Sequence, residues 1–527
     1  MHRRALLAAA LVAGCAAPAA PPQPQRPPAA PPQLPTSPGA AQTAAPPVPG
    51  LEVPRDPGVL ASLFGAEYER ALAAVGLDRR DARCTAADMA VASQGRFRVP
   101  LYEALQSDPT LADRYARTFR DAAFAAAPSA EKAVSFAAAR IGAGVRMTLL
   151  GDPLKDEASA AENPLALDAA LEALGATAVP PTASLPPKAR ASAALVLRAA
   201  KRAEEWVVRG IGAGATAARF FELESPATLA ADETLLLAAD DEDVRSRVAF
   251  EKRAAAVDLP YLARAAAEVA LAAELAGKWI AEAGPTAPFE WRCRTPLGEV
   301  LLRGGGDDAD GDADGGPFLL RIDTGGNDAY AAGAATTDRC PVSVLIDAAG
   351  NDTYRGRPGS PAFGAGWRGV AVLLDLAGND RYELGEGRSL GLGAGVLGAG
   401  ILVDAGGDDR YHGTDFCMGA ATAGFGVLCD LGGTDRYEAL SYSQGFGFVL
   451  GSGLLVDLAG DDVYVLDDTP GRRASPQSKE HNVSLGQGAG YGLRSDYLDG
   501  HSLAGGVGIL ADREGNDSYS CGVFGQG

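Results

Sequence analysis

The chain reads as multidomain α plus all-β, with an N-terminal all-helical domain and a C-terminal parallel β-helix of about seven to eight coils. Three observations predict this. A short phrase recurs through the C-terminal half: Asp, two residues, Gly, one residue, Asp, one residue, Tyr. The tyrosines that close it stand at 330, 354, 382, 411, 437, 464 and 519. The residues before it change character, from Ala, Leu, Glu and Arg at helical spacing to Gly and Asp.

The first residues are a targeting signal rather than structure. Arg3 and Arg4 supply the positive start and residues 5–12 the short apolar core. Leu11, Val12, Ala13, Gly14 and Cys15 resemble the lipobox of bacterial lipoproteins. That resemblance implies cleavage after residue 14, lipidation (palmitate included) of Cys15 and, with Ala16 following, outer-membrane sorting. Residues 15–50 are rich in Pro and Ala. Proline fixes φ and removes a donor, so they read as a polyproline tether reaching on the order of 100 Å.

Residues 51–284 carry the helical stripes. Leu63, Ala71, Leu72 and Val75 suggest one helix ending at Gly76. Leu195, Ala199, Ala203, Trp206 and Gly210 mark a second. Leu262, Ala266, Val269, Ala273, Ala276 and Ile280 mark a third, entered through Asp258 and Pro260. Small apolar residues at this spacing predict closely packed helices whose stripes are core.

Residues 295–527 form the predicted solenoid. Asp310, Asp312, Asp314 and Gly315 match the opening of a calcium loop, but Arg321 stands where a closing Glu belongs, so an EF-hand is not expected. Tyrosine intervals of 24, 28, 29, 26 and 27 residues suit one coil of a parallel β-helix. The last interval, 55 residues, reads as close to two periods with an insertion near 467–500. Continuous apolar runs enter most of the turns, as in Val344, Leu345, Ile346 and Val372, Leu373, Leu374. Such runs match parallel strands buried on both faces.

Stacking turns the repeated carboxylates into columns. Coils lie about 4.8 Å apart, where like charges repel by about 0.9 kcal/mol in water and about 3.5 kcal/mol at an effective dielectric of 20. Turn N–H groups can offset this, and calcium can do so more strongly. The Gly-Asn-Asp-x-aromatic turns, as at Gly378, Asn379, Asp380 and Tyr382, resemble the repeats of RTX calcium-binding proteins. The resemblance implies Ca²⁺ between adjacent coils, held by Asp328, Asp352, Asp380, Asp409, Asp435, Asp462 and Asp517. With the first Asp of each turn, Asp323, Asp347, Asp375, Asp404, Asp430, Asp457 and Asp512, these are the candidate metal ligands.

Composition bounds the partners. A formal net charge of −20 at pH 7 disfavours nucleic acid and anionic lipid and favours cations. The expected protein is a lipid-anchored structural or adhesive component of the bacterial envelope that contacts a polysaccharide or another envelope protein. Residues 521–527 resemble the start of another coil, so self-association through an open end is a further expectation. The competing class is a carbohydrate-active β-helix enzyme, a polysaccharide lyase or hydrolase, centred on the insertion with Arg472, Arg473, Lys479, His481 and Asp496. Ser502, within Gly500-His501-Ser502, lacks the helix a lipase elbow requires, so catalysis is not the favoured reading. Six cysteines beyond Cys15 permit disulfides without specifying any.

Overall fold

A computed structural model describes residues 59–78, 101, 105, 109–144, 158–211, 254, 256–310, 316–385, 390–475, 478–492 and 504–525. The signal, the lipobox Cys15 and the tether lie outside these, as do Asp496, His501 and Ser502. No helix among the described residues is long and apolar enough to cross a membrane.

Among the described residues six α-helices precede the strands: α1 (Val59–Ala74), α2 (Ala112–Ala126), α3 (Ala130–Arg140), α4 (Ala166–Ala173), α5 (Pro187–Ile211) and α6 (Leu259–Ala283). Helix α3 is capped by Ser129, whose hydroxyl accepts the Lys132 N–H at 3.2 Å. Helix α6 begins with Pro260 near its start and ends at Gly284, as the sequence suggests. Its stripe from Leu262 to Ile280 is buried, and so are Leu195, Ala199, Ala203 and Gly210 of α5. Alanine at these positions lets the two helices approach closely, and Ser192 donates across to the Ala276 carbonyl at 3.1 Å. The expectation for α1 is corrected: Leu72 is buried, but Leu63 is 61% and Val75 51% exposed. Among the described residues this helix packs mainly on 109–111 and α2, and Leu72 is the stripe residue buried there.

The strands build a coil of up to three faces, repeated along one axis. The main sheet has nine strands, opened by the antiparallel hairpin of β1 (Glu290–Thr295) and β2 (Gly298–Arg303). Parallel to β2 follow Phe318–Ile322, Val342–Asp347, Val370–Asp375, Ala399–Asp404, Gly424–Asp430, Gly451–Asp457 and Val507–Asp512. A seven-stranded parallel sheet carries the tyrosines, and a three-stranded sheet joins Gly366–Trp367, Gly395–Val396 and Ala421–Thr422.

The result is a β-solenoid of about five turns, not seven to eight. Two features lower the count. The 55-residue interval is one coil, because Tyr519 pairs directly with Tyr464 and the intervening chain is an excursion. The first and last coils also lack a complete third face.

The all-apolar strands have a physical reason. Leu345, Leu373, Leu402, Leu428 and Leu455 point inward and pack with the tyrosines. Their neighbours Val344, Ile346, Val372, Ile401 and Val427 point outward into a second core shared with α3, α5 and α6. The helices therefore form a layer on the main sheet, and their packing removes from water a face that would otherwise expose a continuous apolar surface. Cys293, Cys340, Cys417, Cys429 and Cys521 are free thiols, so the described residues contain no disulfide.

Candidate metal centre

Strand geometry delivers the first Asp of each turn into the solenoid. Side chains alternate along a strand, so with Leu345 inward and Ile346 outward, Asp347 must point inward. Register then aligns Asp347, Asp375, Asp404, Asp430, Asp457 and Asp512 as direct partners on successive strands. All but Asp512 are fully buried. In all of these but Asp512 one oxygen accepts the N–H two residues on, as at Asp347 with Ala349 (3.0 Å) and Asp404 with Gly406 (3.0 Å).

The second oxygen belongs to the tyrosines. Tyr354 donates to Asp375 at 2.6 Å, and Tyr382 to Asp404, Tyr411 to Asp430 and Tyr437 to Asp457 at 2.7 Å each. Each hydroxyl thus reaches forward to the next coil. The rings stack in register with centroids 4.6–4.8 Å apart from Tyr330 to Tyr519. The column is internal packing rather than a binding surface, since the rings from 354 to 464 are fully buried. Replacing Tyr382 by Phe will leave Asp404 short of a donor. The expected cost is about 1.5–3 kcal/mol in denaturant unfolding, with the fold retained. A loss below roughly 0.5 kcal/mol would show that the hydroxyl carries no stabilising role.

The second Asp of each turn makes a different ladder. Its Oδ1 accepts the backbone N–H of the equivalent Asp one coil earlier: Asp328 to Asp352 (2.5 Å), Asp352 to Asp380 (2.6 Å), Asp380 to Asp409 (2.5 Å) and Asp409 to Asp435 (2.7 Å). The neighbouring Asn column runs the opposite way, Asn351 and Asn379 donating their N–H to Asn327 and Asn351. The turn glycine is invariant because of this approach. A Cβ on Gly350, Gly378, Gly407, Gly433, Gly460 or Gly515 would overlap the carbonyl oxygen of the preceding turn's glycine.

What remains unsatisfied is informative. The Oδ2 atoms of Asp352, Asp380, Asp409, Asp435 and Asp462 are buried and have no hydrogen-bond partner. A buried acceptor left without a partner costs about 1–3 kcal/mol, and more when charged. Burial first, then neighbouring carboxylates, push Asp323 up to about 8 and Asp409 to about 9. Burial likewise raises Asp352 to about 7, Asp380 and Asp435 to about 8, and Asp457 and Asp512 to about 6. Asp347, Asp375 and Asp430 are driven well above the carboxylate range by burial first and then by neighbouring carboxylates, such as Asp352 beside Asp347 and Asp404 beside Asp375 and Asp430. Charged carboxylates cannot occupy this interior uncompensated; each coil needs either protons or a cation.

The geometry suits a cation. Asp328, Asp347 and Asp352 place one oxygen each within 4.8 Å of one another, as do Asp352, Asp375 and Asp380; Asp380, Asp404 and Asp409; and Asp409, Asp430 and Asp435. Seven such groups occur among the described residues. Each contains one first Asp and two second Asp, and successive groups share a second Asp. Every group therefore accounts for two negative charges per coil, which one divalent ion neutralises. Oxygen-only donors in this arrangement suit a hard cation.

Sequence reasoning missed one member. The first group is Asp308, Asp323 and Asp328. Asp308 belongs to a variant turn, Gly306-Asp307-Asp308-Ala309-Asp310, whose backbone N–H of Asp308 donates to Asp328 at 2.6 Å. In this turn Asp310 takes the tyrosine position, and Arg303 takes the first-Asp position, since Leu302 pairs with Ile322. Arg321 binds Asp310 at 2.6 Å and Arg303 binds it at 3.2 Å, all three side chains being at least 95% buried. Asp307, Asp308 and Asp310 thus belong to the solenoid's first turn, closed by fixed arginines, while Asp312, Asp314 and Gly315 lie outside the described residues. The missed signal was the Gly-x-Asp spacing, hidden because the Tyr and the first Asp are both replaced.

The insertion residues enter structural ion pairs: Arg473 with Asp415 (2.6 Å), Arg472 with Asp467 (3.0 Å) and His481 with Asp468 (2.6 Å).

Fold and site together define a helix-covered β-solenoid with buried aspartate columns able to hold metal ions. Comparison with protein-family models, curated proteins and solved structures finds no match for the chain.

Proposed function

We propose that the protein is a calcium-stiffened scaffold of the bacterial envelope, a rod whose coils are locked together by ions in the aspartate columns. The observation that carries this reading is the run of buried, unpartnered Oδ2 atoms of Asp352, Asp380, Asp409, Asp435 and Asp462, each grouped with further carboxylates on successive coils. Calcium fits because it takes six to eight oxygen ligands at about 2.3–2.6 Å, and the turns offer carbonyls beside the carboxylates. The ligands would be Asp323, Asp347, Asp375, Asp404, Asp430, Asp457 and Asp512 with Asp328, Asp352, Asp380, Asp409, Asp435, Asp462 and Asp517. Lipidation at Cys15, outer-membrane anchoring through the tether and contact with other envelope components belong to the same proposal. A chain this acidic is suited to ion-rich surroundings.

Thermal melting tests it. Each site loaded at a hundredfold excess over Kd adds about 2.7 kcal/mol, or roughly 5–10 °C for a domain of this size. EGTA should lower the melting point by tens of degrees, and added calcium should restore it. An unchanged melting point would remove the calcium reading and leave columns neutralised by protons.

A further inference from the structure

We infer that the excursion after the sixth tyrosine builds a binding cleft for a neutral saccharide on the outer face of the tyrosine sheet. The role is separate from stiffening and does not depend on the ions.

On that sheet the positions alternating with the buried tyrosines face outward, and Arg355, Arg381, Arg410 and His412 among them are exposed. His412, Glu438 and Val465 occupy one column of it on successive coils, aligned by strand register. Beside these residues the chain leaves the repeat after Leu466. The segments 467–475 and 478–482 are brought together by the antiparallel bridge of Ala474 and Asn482. Arg473 on Asp415 pins the first segment to the solenoid, and Asn482 fixes its base by donating its side-chain amide to the carbonyls of Asp467 (2.9 Å) and Thr469 (2.8 Å). Between this segment and the sheet lies a cleft of about 290 Å³, lined by His412, Thr414, Glu438, Val465, Asp467 and Arg472.

The lining selects a ligand class. Glu438 is paired with Arg436 at 2.6 Å and Asp467 with Arg472 at 3.0 Å, so the acids in the cleft are balanced. Carboxylates with spare lone pairs accept from vicinal hydroxyls, while the imidazole and the half-exposed guanidinium of Arg472 donate or accept at the rim. Val465, with Ala439 and Leu440, offers apolar surface to a C–H face. Such a mixture suits a polyhydroxylated, uncharged ring better than an anion, which the net charge of −20 would repel. Coils spaced about 4.8 Å apart present one lining position per step, a spacing close to the repeat of a pyranose chain running along the solenoid axis.

The test uses the full chain in calcium-containing buffer, with maltose, cellobiose and diacetylchitobiose as probes in saturation-transfer NMR. Transfer to at least one probe is expected, weakened about tenfold in affinity by Arg472→Ala and by His412→Ala, with the melting point unchanged. Both side chains are exposed, so folding is not at stake. No transfer to any probe, or transfer undiminished in both variants, would overturn the inference. Either outcome leaves the EGTA melt unaffected, so failure here is distinct from failure of the scaffold reading.

Discussion

Asp409→Asn should cost the protein two bound ions, whereas Asp404→Asn should cost one. Asp409 belongs to both the Asp380, Asp404 group and the Asp430, Asp435 group, while Asp404 belongs to a single group among those named. The two side chains sit five residues apart in the same turn, and both substitutions keep shape while removing charge. Calorimetric titration of calcium into the stripped variants would give the stoichiometry of each. The melting point in saturating calcium should fall about twice as far for Asp409→Asn, roughly 10–20 °C against 5–10 °C. Equal losses from the two variants would mean that the columns do not share ligands in the way their geometry implies.

The response to pH should reverse when calcium is removed. In the ion-free protein these carboxylates titrate far above their unfolded value of about 3.9. Folded values of about 6 for Asp457 and Asp512, 7 for Asp352, 8 for Asp323, Asp380 and Asp435, and 9 for Asp409 set the window. A group whose folded pKa is raised stabilises fully below its unfolded pKa, and that contribution is lost as pH rises through the folded pKa. Between about pH 4 and pH 9 the native state holds more protons than the unfolded chain, so stability must fall with rising pH. In EGTA the protein should therefore melt highest near pH 5 and lowest near pH 9. With calcium present the order inverts, because the ion binds only deprotonated carboxylates. Melting scans at pH 5, 7 and 9 with and without calcium would check this. The same pH trend in both conditions would contradict it.

How much of this was legible in the sequence depends on which interactions are local. The repeat spacing was enough to place the carboxylates in columns, but the continuous apolar run through Leu345 and Ile346 did not tell that Asp347 points inward. The tyrosine stack followed equally, because in-register coils must bring Tyr354 over Tyr330 and Tyr382 over Tyr354. Burial of Ile346 and Val344 on the other face was legible too, but what covers them was not. Nothing local in α6 tells that Gly277 faces Leu376, since the two lie far apart in sequence and meet only through folding. The 55-residue interval misled for a similar reason. Length cannot distinguish two coils from one coil with an excursion, and only the pairing of Tyr464 with Tyr519 decides it. At the first turn the chemistry itself is exchanged: Arg303 and Asp310 occupy the places of Asp and Tyr, keeping the geometry while erasing the phrase.

The central claim is that ions occupy the aspartate columns coil by coil. Metal analysis of the purified full chain after dialysis against dilute calcium tests it most directly. With seven carboxylate groups among the described residues, the account expects close to one calcium per group. A content of one ion per chain or less would contradict it.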